Sequence, residues 1–256
     1  MPLVQDQMGR SVEVPELPQR IVSLVPSQTE LLYDLGLGDR VVGVTKFCIH
    51  PKDWRKTKTI VGGTKNYRFD QIEALKPDLI IGNKEENERE GIEQLSQSYP
   101  VWMSDIYTLA DAFEMMRGVG EITGVQDRVE RLIADVKGGF SQLESKNTGK
   151  RVLYLIWQKP YMVAGSQTFI DEMLKACGFV NAISEGRYPA LTVEEIQALK
   201  PDLIFLSSEP YPFKEKHLKA LQAITPNSEV KLVDGEMFSW YGSRLRLATT
   251  YFQNLM

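Results

Sequence analysis

The sequence predicts an α/β protein of two similar lobes with mainly parallel sheets, joined by one long helix. Three observations predict it. A segment recurs: Phe69-Asp70-Gln71-Ile72-Glu73-Ala74-Leu75-Lys76-Pro77-Asp78-Leu79-Ile80-Ile81 returns as Val193-Glu194-Glu195-Ile196-Gln197-Ala198-Leu199-Lys200-Pro201-Asp202-Leu203-Ile204-Phe205, 124 residues further on. The identity Ala-Leu-Lys-Pro-Asp-Leu-Ile is too long for chance. The offset is close to half of the 256-residue chain, far above the roughly 20–50 residues of stacked repeats. Short apolar runs alternate with amphipathic stretches, which points to α/β architecture. A long stretch of helical periodicity separates the two copies.

The elements follow in chain order. Arg20-Ile21-Val22-Ser23-Leu24-Val25 reads as a strand, and Ser27-Gln28-Thr29 opens a helix that Gly36 closes. Val41–Val44 and Thr59–Val61 are short strands. The helix carrying Ile72 and Leu75 stops at Lys76, because proline disfavours the α region in the residue before it. Leu79-Ile80-Ile81 is then apolar without alternation, as suits a parallel strand covered on both faces. Val101-Trp102 supplies another strand.

Leu109, Ala112, Phe113, Met116, Val119 and Ile122 keep helical spacing up to Gly124. Val125, Val129, Leu132, Ile133, Val136, Phe140 and Leu143 continue it to the polar stretch at 144–149. At about 1.5 Å per residue, 125–146 predicts a rod of roughly 33 Å. It is stiff rather than Gly/Ser-rich, although Gly138-Gly139 weakens it locally. The predicted organisation is an N-terminal lobe over 1–123, a bridging helix over 124–147 and a C-terminal lobe over 148–256. The second lobe repeats the pattern: strand Arg151–Ile156, helix from Ser166-Gln167-Thr168 to Gly178, helix 193–200, and strands Leu203–Leu206 and Lys231–Val233.

Composition excludes several classes. With 43% apolar and 25% charged residues the chain is neither collagenous, disordered nor a disulfide scaffold. No run approaches the roughly 18 apolar residues of a membrane-spanning helix. The net charge of −4, with lysine and arginine scattered, argues against a nucleic-acid partner. Cys48 and Cys177 read most simply as two free thiols. Met1–Arg10 has no basic and no apolar leader region, so a leader is either trimmed or was never there.

Together these features resemble the helical-backbone (class III) substrate-binding proteins of ABC importers, receptors for cobalamin, ferric siderophores, haem and metal ions. The resemblance rests on Arg20-Ile21-Val22-Ser23-Leu24-Val25-Pro26-Ser27-Gln28-Thr29-Glu30, Val42-Gly43-Val44, both Ala-Leu-Lys-Pro-Asp-Leu-Ile copies and Trp240-Tyr241-Gly242-Ser243-Arg244. It covers essentially the whole chain. It implies two Rossmann-like lobes, a monomeric receptor without catalytic residues and an ABC permease as partner. The implied cargo is a metal chelate, a corrinoid such as cobalamin first and otherwise a ferric siderophore or haem, with no covalent cofactor and no resident metal. It also implies a periplasmic or other extracytoplasmic place, with the cytoplasm as the alternative that the N-terminus leaves open. In the resembled family one carboxylate on each lobe docks on permease arginines. Asp70 and Glu194 hold equivalent positions in the two repeats, although the helix dipole alone favours acids there.

In open α/β sheets ligands bind beyond the carboxyl ends of the strands. The loops of two facing lobes are therefore expected to converge on one cleft. Candidate ligand contacts are Phe47, His50, Lys65, Asn66 and Glu85 from the first lobe. The second offers Trp157, Tyr188, Phe238, Trp240, Tyr241 and Arg244. Aromatics following strands suit a large planar guest. Cys48-x-His50 could reach the metal of a chelate or simply pack, and no Cys/His cluster offers the three or four ligands of a zinc site. Gly62-Gly63-Thr64-Lys65 lacks the spacing of a phosphate loop. The alternative function is a leaderless intracellular enzyme or chelate-handling protein on the same scaffold, with Cys48 as nucleophile and His50 or Glu85 as base.

Overall fold

The structure is a computed structural model that describes residues 2–143 and 148–255. The chain divides into two compact units: Met1–Asp135 with Tyr241–Arg244, and Val136–Trp240 with Leu245–Met256.

Unit 1 begins with an antiparallel hairpin, β1 (Leu3–Gln5) and β2 (Ser11–Glu13). Then follow β3 (Ile21–Ser23), α1 (Pro26–Asp34), β4 (Val41–Val44), α2 (Trp54–Thr57), β5 (Thr59–Ile60), α3 (Phe69–Leu75), β6 (Leu79–Asn83), α4 (Arg89–Ser96), β7 (Val101–Ser104) and α5 (Leu109–Thr123). The sheet order is β5-β4-β3-β6-β7, and every pairing is parallel. All positions of β3 and β6 are buried, which accounts for their unbroken apolar runs. Val22, Leu24, Ile72, Ile80, Ile92 and Met103 build one core cluster. The N-terminal segment caps the β7 edge: the Gln7 N–H donates to the Met103 carbonyl at 3.1 Å, and Arg10 donates to that of Val101 at 3.0 Å. An edge strand covered in this way offers no template for pairing with another chain.

Helix α6 (Gln126–Ser141) carries the chain from unit 1 into unit 2. It is distinct from α5, which ends as predicted at Gly124 in a left-handed cap with φ 73°. At about 1.5 Å per residue α6 spans roughly 24 Å, shorter than the predicted rod. It ends soon after Gly138-Gly139, the pair with the lowest helix propensity in the segment. Positions 144–147 of the predicted bridging segment lie outside the described residues.

Unit 2 contains β8 (Arg151–Trp157), β9 (Tyr161–Val163), α7 (Phe169–Ala176), β10 (Val180–Asn181), β11 (Ala190–Leu191), α8 (Val193–Leu199), β12 (Leu203–Ser207), α9 (Glu215–Ile224), β13 (Glu229–Val233), α10 (Gly235–Ser239) and α11 (Leu245–Leu255). The order is β11-β9-β8-β12-β13, with β10 pairing β8. Strands β8, β12 and β13 run parallel, while β9 is antiparallel to β8 and to β11. The short turn from Trp157 to Tyr161 forces the antiparallel hairpin, because a parallel crossover needs a dozen or more residues. Leu153, Leu155, Ile196, Ile204, Leu206 and Leu221 form one core cluster. Tyr154, Phe205, Phe238 and Phe252 stack a separate aromatic group at centroid distances of 4.8–6.4 Å.

The repeated Lys-Pro-Asp has one structural job, done twice. Helices α3 and α8 stop in left-handed lysines, Lys76 (φ 45°) and Lys200 (φ 46°). Asp78 then accepts the backbone N–H groups of Gln19 and Arg20 at 2.8 and 2.7 Å, and the Arg20 side chain donates to the Leu75 carbonyl at 2.7 Å. In unit 2 Asp202 accepts the Arg151 N–H at 2.7 Å, and Arg151 donates to the Leu199 carbonyl at 2.9 Å. Each aspartate thus ties the end of a helix to the start of the central strand.

Candidate functional site

In unit 1 the chain leaves β3 for β4 on one side and returns to place β6 on the other, so the strand order reverses between β3 and β6 although the strands stay parallel. That switch point is where ligands bind in open α/β sheets. Around the carboxyl ends of β3, β6 and β7 the structure buries a polar network. Gln28 Nε2 and Asn83 Nδ2 both donate to Ser104 Oγ, at 2.6 and 3.0 Å. Thr29 Oγ1 lies 2.7 Å from Ser23 Oγ. Asn83 Oδ1 accepts the N–H groups of Glu85 and Glu86 at 2.9 and 3.1 Å, which shapes the loop after β6. Asn87 accepts the Asn83 N–H at 2.8 Å and donates to the Thr64 carbonyl at 2.9 Å, pinning the 62–67 loop to the 83–87 loop. Tyr67 Oη holds that same carbonyl at 2.7 Å.

The side chains on these braced loops are the accessible ones. Phe47 is 49% exposed with Lys46 Nζ 4.9 Å from its ring centroid, Lys65 and Asn66 are exposed, and His50 and Glu85 are half-buried. Buried hydrogen bonds fix the backbone beneath accessible side chains, the pattern of a preorganised site. Two buried side-chain oxygens at the start of α1, Ser27 Oγ and Gln28 Oε1, have no partner among the described residues. Cys48 is fully buried, with its Sγ 3.1 Å from Thr29 Oγ1 and 3.2 Å from Thr45 Oγ1. Burial pushes its thiol above the usual range. A buried thiol with so little thiolate is a poor nucleophile.

In unit 2 the carboxyl end of β8 presents Trp157, 40% exposed, edge-on to Tyr211 with centroids 5.5 Å apart. Tyr211 Oη donates to Gln158 Oε1 at 3.0 Å and sits 3.3 Å from His217 Nε2. His217 Nδ1 accepts the Lys214 N–H at 2.8 Å, and burial, aided by Lys216 and Lys214, lowers its pKa. The Tyr211 N–H reaches the Ile156 carbonyl at 3.3 Å, tying the loop after β12 to the end of β8. On that loop Glu209 Oε1 accepts Ser239 Oγ at 2.7 Å and Trp240 Nε1 at 2.8 Å. Burial raises the Glu209 pKa. Tyr188 is half-buried, with the Arg187 guanidinium 5.7 Å from its ring centroid.

The remaining candidates point inward. Phe238 is fully buried in the aromatic core of unit 2, and Trp240 and Tyr241 are buried too. Arg244 belongs to unit 1 and forms a bidentate pair with Glu30: Nε to Oε2 is 2.8 Å and Nη2 to Oε1 is 2.5 Å. Asp70 and Glu194 are both exposed in the first turns of α3 and α8. Sequence reasoning missed the Gln28–Ser104–Asn83 brace and the His217–Tyr211 contact. Gln28 and Ser104 stand 76 residues apart, and no local pattern couples them. Among the described residues no three His, Cys, Asp or Glu side chains gather as a metal site.

The sequence profile of the family described as Periplasmic binding protein matches residues 21–232. An uncharacterized ABC transporter substrate-binding lipoprotein, YvrC of Bacillus subtilis, is 29% identical over 78% of this chain and 67% of its own length. The vitamin B12-binding protein of Pectobacterium carotovorum is 27% identical over 91% of this chain and 86% of that one. Among solved structures, the periplasmic heme-binding protein RhuT of Roseiflexus in apo form superposes with a TM-score of 0.80 at 26% identity, covering 92% of this chain and 97% of that chain.

Proposed function

This chain belongs to the periplasmic binding protein family, and from that membership we infer that it is the substrate-binding component of an ABC importer for a metal chelate, a corrinoid such as cobalamin. The family is one of binding proteins rather than enzymes. Cys48, the nucleophile of the enzymatic alternative, is shut inside unit 1. The observation that carries the chelate reading is the pairing of braced polar loops with exposed aromatics, Phe47 and Trp157, at the carboxyl ends of the sheets. Aromatic faces grip a large, planar, partly apolar guest, and such a guest needs few fixed polar contacts for orientation. The inferred contacts are Phe47, His50, Lys65, Asn66 and Glu85 in unit 1, and Trp157 and Tyr188 in unit 2. Likeness to the vitamin B12-binding protein over most of both chains favours a corrinoid, and the likeness to RhuT makes haem the second reading.

Asp70 and Glu194 are the inferred docking groups for the permease, exposed on equivalent helices of the two units. The protein acts outside the cytoplasm as a monomer on this reading. No helix among the described residues is long and apolar enough to cross a membrane. Titration with cyanocobalamin, cobinamide, haemin and a ferric siderophore, read by calorimetry and visible absorption, tests the function. Saturable one-to-one binding of a corrinoid supports it. Binding of none of the four overturns it.

A further inference from the structure

Glu209 stands out in unit 2. It follows β12 at the carboxyl edge of the sheet, on the loop that the Tyr211 N–H ties to the end of β8. Both hydrogen bonds to its carboxylate, from Ser239 and Trp240, land on Oε1. Oε2 receives none from the described residues. The placement is built rather than incidental. Gly235 makes room for it, since a Cβ there would collide with Ser207 Oγ and stand 2.7 Å from Glu209 Cγ. The Glu209 N–H is itself held on Ser207 Oγ at 3.3 Å. Glu209 is half-buried, with one oxygen saturated by the protein and the other lacking a protein partner, so a ligand donor can take the place of water there. Burial first, then Glu236 and Asp234, raise its pKa, while the Ser239 and Trp240 hydrogen bonds lower it.

Resting on the receptor reading, we propose that Glu209 is a specificity-determining residue whose Oε2 accepts a hydrogen bond from an amide N–H of the chelate and rejects chelates that bring a carboxylate to that place. A corrinoid is fringed with carboxamides, which donate. The haem edge carries propionates, which only accept and are negative. A carboxylate facing Oε2 adds negative charge beside a carboxyl that already faces Glu236 and Asp234, and this kind of repulsive element separates otherwise similar ligands. Specificity of this sort comes from leaving the wrong partner unpaired rather than from extra contact area.

Glu209→Gln tests the assignment sharply. The amide keeps an oxygen for Ser239 and Trp240 and replaces the free acceptor with a donor. Calorimetry at pH 7 with cyanocobalamin and with haemin should show cyanocobalamin binding weakened about tenfold or more, the scale of a lost hydrogen bond to a charged group. Haemin binding should be unchanged or tighter. A second arm needs no variant: the wild-type protein should bind at least one cyanocobalamin monocarboxylate, with a single peripheral amide hydrolysed, about tenfold more weakly than cyanocobalamin itself. Equal loss for both ligands in the variant, which marks a merely structural role, overturns the proposal. So does no loss for either, or equal affinity for every monocarboxylate. A wild-type protein that binds haemin more tightly than cyanocobalamin overturns it as well, while leaving the receptor reading standing. If the wild-type protein binds neither ligand, the receptor reading falls and this assignment falls with it.

Discussion

Arg244→Ala should destabilise unit 1 far more than an ordinary surface substitution. The guanidinium meets Glu30 through two parallel hydrogen bonds, at 2.8 and 2.5 Å, and the side chains are only 7% and 13% exposed. An exposed ion pair contributes at most about 1 kcal/mol. Removing one partner of a buried pair instead leaves a desolvated charge alone, at about 3–5 kcal/mol. The pair also anchors Tyr241–Arg244 in unit 1, where Gly242 at φ 118° sits against Ser27 and Leu31. For a chain of this size each kcal/mol lowers the melting temperature by about 2–4 °C, so a fall of roughly 6–20 °C is expected for the transition that includes unit 1. Two compact units need not unfold together, so calorimetric scans should be fitted for two transitions. The Glu30→Ala, Arg244→Ala double variant should lose much less than the two single losses added, because the lone charge is gone. A single-variant loss below about 1 kcal/mol, or strict additivity in the double variant, would refute the reasoning.

The other expectations are more local. Phe47→Ala and Trp157→Ala should each weaken chelate binding about tenfold or more in calorimetry while leaving the melting temperature within a few degrees, since both side chains are largely exposed. Asp70→Lys and Glu194→Lys should leave ligand affinity intact yet suppress ligand-stimulated ATPase activity of the reconstituted importer, and unchanged stimulation would remove them as docking groups. Glu209 has a pKa above its ordinary 4.5 in the folded state, so the folded protein binds more protons than the unfolded chain between the two values. Its contribution to stability therefore falls as pH rises from about 4.5 through the raised value. The wild-type urea midpoint should drop relative to that of Glu209→Gln across this window, and parallel profiles would contradict it.

Much of the fold is legible because its causes are local. The Lys-Pro-Asp repeat sets helix ends at Lys76 and Lys200, since proline restricts the residue before it, and the structure shows both in the left-handed region. Unbroken apolar runs mark β6 and β12 because each is covered on both faces. The hairpin of β8 with β9 was not legible: Gln158-Lys159-Pro160 reads as part of a loop, and Tyr161–Val163 is too short for a clear alternation. The end of α6 was overestimated because apolar spacing continues to Leu143 while Gly138-Gly139 undermines the helix.

The candidate site divides along the same line. Exposed tips such as Phe47, Lys65 and Trp157 are recognisable from their place after strands. Position after a strand does not reveal which aromatic turns inward, and Phe238 lies in the core because Tyr154, Phe205 and Phe252 surround it.

By itself the sequence determined the twofold α/β plan, the placing of Asp70 and Glu194 on matching helices, and the family resemblance, since repeats, periodicity and proline rules act within a few residues of chain. Only the tertiary structure decided that Arg244 pairs with Glu30, that Gln28, Asn83 and Ser104 brace one loop cluster, and that Ser239 and Trp240 both bind one oxygen of Glu209. Those contacts join residues tens to hundreds of positions apart. Their geometry comes from how the strands order themselves in the sheet, a property no local window of sequence contains.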